Sequence, residues 1–357
     1  MSDAMQRYKR YKNPQVRALV WSLVSPSLIN ESGEYSDLMR PAWCADVYHI
    51  LSPFFAQLDN DPSELQQWLE HFKSWRLGIR FEAYWEFIFQ QLKKQHQLQD
   101  YTAHLQIQAH KNTLQSTLGE LDFVYKASST DNDNQKLTHL EIAVKFYLLK
   151  PDEFGFERLI GPNGSDWLER KVAHLFKKQL TLSQHIETRQ ALEQHFKIPE
   201  DKQQLDPQGI IKGMIFLPVT GEGSLNHHER ELLNPDCVNA TWGTINNWYL
   251  ADPTETGYWV IIDKLSWLEP QIYPSIHNAF YSAKEMAYKL KAHFHNSLRS
   301  ILIARLDYDE QQQLWLEQQR VMVVDKYWPT FKRTLDTMVK HAKSRPTDKQ
   351  KTRTNKE

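Results

Sequence analysis

Cysteine is nearly absent from this chain. Two residues, Cys44 and Cys237, cannot build a disulfide framework, and nothing in their placement calls for an oxidising compartment. Long apolar runs are missing too: no stretch of about 18 apolar residues occurs, so no hydrophobic helix of membrane-spanning length is expected. The opening MSDAMQRYKRYK has no apolar segment of the signal-peptide kind, and a cytoplasmic location is expected. Charge of one sign is also lacking. Lys and Arg (43) nearly offset Asp and Glu (44), so global charge is silent about nucleic acid and only local patches bear on it. There is no internal repeat. Gly161-Pro162-Asn163-Gly164 is not followed by Gly-Lys-Ser/Thr, which excludes a phosphate loop of that type. The spacing of His227, His228 and Cys237 fits no standard zinc site.

What remains is an ordinary globular composition, 41% hydrophobic and 24% charged over 357 residues, long enough for two or three domains. Twelve Trp are scattered along the chain and read mainly as core filler. The most informative stretch is Leu140 to Leu148, LEIAVKFYL. Leu140, Ile142, Val144, Phe146 and Leu148 alternate with Glu141, Ala143, Lys145 and Tyr147. A period of two predicts a β-strand. Its apolar, β-prone second half suits an interior strand, with Glu141 and Lys145 on one face.

Before it, PQVRALVWSLV reads as a helix starting from Asn13. Asp61-Pro62-Ser63-Glu64 opens another that runs to about Trp75, and Gly78 opens a third, GIRFEAYWEFIFQQLKK, carrying Glu82 and Glu86 one turn apart. Residues 27–47 show no period. YTAHLQIQAH and GELDFVY are predicted strands, the second carrying Glu120 and Asp122 on one face and followed by a polar, turn-prone loop. After LEIAVKFYL, Ser165 or Asp166 is placed to cap a single helix, SDWLERKVAHLFKKQLTLSQH, with Arg170, Lys171, Lys177 and Lys178 on a basic side. GIIKGMIFLP is another interior strand. Residues 219–256 read as a long irregular connection. GYWVIID and RVMVVD are strands, SILIARL a strand or buried helix, and a closing helix is expected over 329–342. The fold class expected is α/β, a mixed sheet flanked by helices. The divisions are a helical region 1–76, a core 77–218, an α+β extension 219–342 and a disordered basic tail 343–357.

An acidic helix, a Gly-Glu-Leu-Asp strand, a Glu/Lys strand and a following helix form the set that phosphodiester cleavage with a hard cation requires. GELDF, then HLEIAVKFYL, then IGPNGSDWLERK resembles the PD-(D/E)XK nuclease superfamily, Gly119-Glu120-Leu121-Asp122 being similar to the signature of its resolvase-like branch. The run as a whole resembles an uncharacterised bacterial domain-of-unknown-function family placed in that superfamily. The nuclease resemblance covers about Gly78 to Leu180. It implies a restriction-endonuclease-like core and a Mg2+-dependent (or Mn2+-dependent) nuclease acting on DNA or RNA. It further implies that Asp122 and Glu141 bind metal, that Glu82 is an auxiliary ligand, and that Lys145 assists the water and the transition state. Lys171, Arg170 and Lys177 are the expected nucleic-acid contacts. The match departs at one position. The superfamily pattern places an acid two residues before Lys145, where Ala143 stands. Glu141 lies two residues further back on the same face, displaced by about 6.6–6.8 Å. The alternative reading is therefore a nuclease-like fold that binds nucleic acid or protein without cleaving it.

Overall fold

The computed structural model describes residues 7–39, 41–109, 117–128, 135–151, 158–252 and 257–329. Four helices come first: α1 Pro14–Val24, α2 Pro41–Asn60, α3 Ser63–Glu70 and α4 Leu77–Lys94. Then come β1 Leu98–Gln108, β2 Thr117–Ala127, β3 Lys136–Leu149 and the short β4 Leu159–Ile160. α5 Leu168–His174, α6 Ile186–Phe196, β5 Gln204–Pro218, α7 His227–Leu232, β6 Val238–Thr244, β7 Tyr258–Ile262 and β8 Ile272–Tyr273 follow. The last elements are α8 Ala283–Asn296, β9 Ile301–Asp309 and β10 Leu314–Val324. The closing helix expected over 329–342 and the tail 343–357 fall almost wholly outside the described residues.

The fold is mixed α/β. One ten-stranded sheet runs in the order β1-β2-β3-β5-β6-β10-β9-β7, with β4 added to β3 and β8 to β10. The centre, β3-β5-β6-β10, is parallel, and antiparallel strands flank it on both sides. Strands in a parallel block are covered on both faces and so are apolar on both. β3 obeys this. Leu140, Ile142, Phe146 and Leu148 join the core under the N-terminal helices, while Ala143, Tyr147 and Leu149 join the core under α5. The sheet passes without a break from β5 to β6, across the boundary expected at residue 218.

Two elements were not legible as expected. α2 occupies part of the stretch without a period. Cys44, Val47, Tyr48, Leu51, Phe55 and Leu58 are its buried stripe at helical spacing, and Pro53 sits inside it. β6, in the supposed irregular connection, is a central strand pairing with both β5 and β10. SILIARL resolves to strand as β9. Among the described residues no helix is long and apolar enough to cross a membrane.

α1 begins where Asn13 Oδ1 accepts the N–H groups of Gln15 and Val16, satisfying two of the helix's orphan donors. α4 docks on the β1–β2 hairpin through Phe89, whose ring stacks on Phe123 at 4.8 Å and on Tyr101 at 5.5 Å. That docking lays the acidic side of α4, Glu82 and Glu86, beside the hairpin.

Candidate active site

β2 and β3 pair as a regular antiparallel ladder through Tyr125–Thr138, Val124–His139 and Phe123–Leu140. There the ladder stops. One residue further on, side chains replace carbonyls as acceptors. The Asp122 N–H donates to Glu141 Oε1 at 3.2 Å, and the Ile142 N–H donates to Asp122 Oδ2 at 2.9 Å. The backbone donors are satisfied although the strands have parted. On the other side of β2, the register of β1 (Ala103 with Phe123, Leu105 with Leu121) sets His104 opposite Asp122. His104 is left-handed, with φ of 53°, a conformation costing a non-glycine residue roughly 1–3 kcal/mol. Its ring lies 3.4 Å from Glu120 and 4.0 Å from Glu86. The two faults, in β1 and in the β2–β3 ladder, meet at Asp122.

β3 and β5 pair along their whole length, with Glu141 opposite Gly209 and Lys145 opposite Gly213. Both glycines are needed there. A Cβ on Gly209 would meet Leu175 Cδ2 at 2.8 Å and Phe176 Cε1 at 2.9 Å. A Cβ on Gly213 would fall 1.7 Å from the Lys145 carbonyl oxygen.

The single helix expected after residue 165 is three pieces. α5 passes into a π-helical turn, Leu175–Gln179, and then a 3-10 turn, Leu180–Gln184. π turns inside helices occur often at functional sites. This one ends at Gln179, whose Nε2 donates to Glu141 Oε2 at 2.5 Å. Gln179 Oε1 accepts from Lys171 Nζ at 3.0 Å and lies 3.0 Å from His174 Nδ1. Neither Ser165 nor Asp166 caps α5, because Trp167 holds the cap position and offers no side-chain bond. The Asp166 carboxylate is engaged elsewhere, by Lys145 Nζ at 2.6 Å and the Tyr147 hydroxyl at 3.4 Å.

Glu141 is fully buried, and its oxygens accept from the Asp122 N–H, from Gln179 and from His139 Nε2 at 2.8 Å. His139 is equally buried, and burial pushes its pKa down to about 4, which favours the neutral ring; its Nε2 faces the Glu141 carboxyl. Its Nδ1 has no partner among the described residues. Burial, more than any neighbour, raises the pKa of Glu141. Burial and then repulsion from Glu141 raise that of Asp122. Glu82 is pushed up to about 7, by burial first and then by Asp122. Lys171 is pulled down by burial and by Lys145, against the pull of Asp122, Glu141 and Asp166.

The structure thus brings Asp122 and Glu141 together and sets Glu82 within electrostatic reach of Asp122. Lys145 is on the expected face but ion-paired with Asp166. Lys171 is half-buried beside the acids, its Nζ donating to Gln179 Oε1. Arg170 is exposed, and so is Lys177, 3.9 Å from Glu34. Among the described residues no group of three or more His, Cys, Asp or Glu is drawn together closely enough to hold a metal ion. The sequence reading missed His139 and Gln179. His139 was findable, since it stands two residues before Glu141 and therefore on the same strand face. Gln179 was not, because an unbroken helix would carry it elsewhere. Beside the cluster, Glu86, Gln90, Lys93, Tyr101 and His104 line an open groove.

No curated protein and no solved structure matches the chain significantly. A family model described as a domain of unknown function, DUF1853, matches residues 17–324, and the chain belongs to that family.

Proposed function

We propose that this site hydrolyses phosphodiester bonds in nucleic acid with the help of a divalent cation. The observation that carries the reading is the mutual tie of Asp122 and Glu141 at the point where β2 and β3 part, with Glu82 and Lys171 beside it. Element order supports it as well. An acidic helix (α4), the strand with Asp122 (β2), the strand with Glu141 and Lys145 (β3) and a following helix (α5) come in the order that the PD-(D/E)XK resemblance implies.

The donor set suits a cation on two carboxylates better than a cage of three. Glu141 accepts from three protein donors, whereas among the described residues no hydrogen-bond donor reaches Glu82, and burial followed by repulsion between carboxylates raises the pKa values of Glu82 and Asp122. Mg2+ is often held by one or two carboxylates, with water and substrate phosphate completing its shell. Glu82 and Asp122 are the residues that would hold it. When bound, such an ion lowers the pKa of a water and offsets negative charge on the phosphoryl group. Glu141 orients Asp122 through the Asp122 N–H, and His139 and Gln179 fix Glu141 in turn. Lys171 offers a compact ammonium close to the acids, suited to the charge that builds on the scissile phosphate. Lys145, held by Asp166, adds to the local positive field.

One observation favours a second reading, a nucleic-acid-binding protein without cleavage. The acid that should stand at residue 143 is an alanine, and its displaced substitute Glu141 is occupied by three donors. A cleavage assay on mixed DNA and RNA with Mn2+ separates the two. Hydrolysis by the wild type and its loss in Asp122→Ala supports the enzyme. Salt-sensitive binding without hydrolysis supports the binder and ends the enzyme proposal.

A further inference from the structure

Trp75 breaks the rule that the tryptophans fill the core. It lies between α3 and α4 and is 64% exposed, although a side chain of this size loses most by staying in water. Two cations from distant parts of the chain converge on it. Lys264, in the turn after β7, places its Nζ 5.1 Å from the indole centroid, and Arg299, in the loop between α8 and β9, places its guanidinium carbon 5.9 Å away. Both are exposed. Among the described residues neither forms a salt bridge, and Arg299 is close enough to Lys264 to lower its pKa further than burial alone does. Asp263, adjacent to Lys264 in the chain, does not pair with it.

Like charges brought together without a counter-ion raise the local potential and select an anion. Cation–π attraction to the ring holds each of them in place. A stable surface clasp would need only one cation, and would be better served by a carboxylate beside the second. An exposed indole with two cations that have no acidic partner among the described residues is complementary to a ligand carrying both a flat aromatic group and a negative charge. A phosphate with its base has that chemistry: the base stacks on Trp75 and the cations move from the ring faces to the phosphate. One stacked base is comparable to the two exposed cation–π contacts given up, so the contacts of both cations with the phosphate are what make the exchange favourable.

We propose that Trp75, Lys264 and Arg299 form a stacking and phosphate-binding site for single-stranded nucleic acid, separate from the acidic cluster of Asp122 and Glu141. The inference shares only a ligand class with the proposed hydrolysis and does not depend on any bond being cleaved.

The test is a fluorescence titration of the full chain with a single-stranded DNA of about 12 nucleotides, a length within the usual span of one such binding surface. A parallel arm uses AMP alone. The wild type is expected to bind the oligonucleotide with quenching of tryptophan emission. Trp75→Ala should remove that quench and weaken binding about tenfold, consistent with loss of one stacked base. In the double variant Lys264→Gln/Arg299→Gln, the slope of log affinity against log salt should fall by about 1.4, since each single-strand phosphate contact contributes about 0.7. All three positions are exposed, and an unchanged circular dichroism spectrum confirms that the fold is intact. Quenching by AMP as well as by the oligonucleotide would make a nucleotide the minimal ligand of the same site. If the wild type binds neither, or if both variants bind with wild-type affinity and salt slope, the site does not exist. Asp122→Ala keeps this binding if the site is separate, so loss of cleavage and loss of binding report on different claims.

Discussion

Asp122 and Glu141 are tied reciprocally across two strands. The amide of Asp122 donates to the carboxylate of Glu141, and the carboxylate of Asp122 accepts the amide of Ile142, next to Glu141 in the chain. Each acid therefore substitutes for a ladder carbonyl that the parting strands no longer supply. Structural and chemical roles rest on the same atoms.

Removing Glu141 should cost far more stability than removing Lys145. Glu141→Ala leaves the Asp122 amide, His139 Nε2 and Gln179 Nε2 without their acceptor in a buried place, and unsatisfied buried donors cost roughly 1–3 kcal/mol each. We expect a total loss of about 3 kcal/mol or more. Lys145→Ala breaks a pair whose side chains are about one-third exposed, for which about 0–1 kcal/mol is expected. Urea denaturation of both variants decides it, and equal losses would contradict the buried role given to Glu141.

Stability should depend on pH through Glu82. Its carboxyl is pushed up to about 7 in the folded protein, above an unfolded value of about 4.3. A raised acid favours folding while protonated, and that contribution is lost as pH rises through the folded value. His139 works the other way: its folded pKa, lowered to about 4, makes its contribution fade as pH falls below the unfolded value of about 6.5. Comparing Glu82→Gln with wild type cancels the histidine. The variant should gain in Tm relative to wild type between about pH 4.5 and 8, by roughly a few degrees. A Tm difference that stays flat with pH would remove Glu82 from the acidic cluster.

A divalent cation should reverse that penalty. At pH 8, millimolar Mn2+ or Mg2+ is expected to raise the wild-type Tm, because a ligand that binds only the folded state stabilises it by mass action. Glu82→Gln and Asp122→Asn should each lose most of the increase, and Glu141→Gln less of it. Thermal scans with and without metal measure this apart from any activity. An equal increase in every variant would mean that the ion binds elsewhere.

Gly213→Ala should damage the strand pair that carries Lys145. The added Cβ would overlap the Lys145 carbonyl oxygen, and relief requires β3 and β5 to move apart. We expect a loss of about 3 kcal/mol, at the upper end for overpacking. Denaturant titration measures it, and a loss below about 1 kcal/mol would show that the pair yields easily.

The legible parts of this chain are those with a strong local period. β3 alternates over its whole central run, and α1 and α4 carry dense apolar stripes, so their type was plain from spacing. α2 was hidden because its start falls in the stretch 27–47, where no period shows, although Pro41 there occupies a first turn, in which a proline costs little. β6, with Asn239, Thr241, Gly243 and Thr244, has the composition of a loop. It is a strand because β5 and β10 supply partners on both sides, which is a property of the sheet rather than of seven residues.

For the site, the residues themselves placed Asp122 and Glu141 on neighbouring strands and Lys145 on the same face as Glu141, because a period of two leaves no other choice. Tertiary contacts decided the rest. The parting of β2 from β3, the π turn that delivers Gln179, the capture of Lys145 by Asp166 and the inward position of Lys171 all depend on side chains far apart in the chain. Local spacing specifies the direction in which a side chain leaves the backbone; only the packed molecule specifies what it meets there.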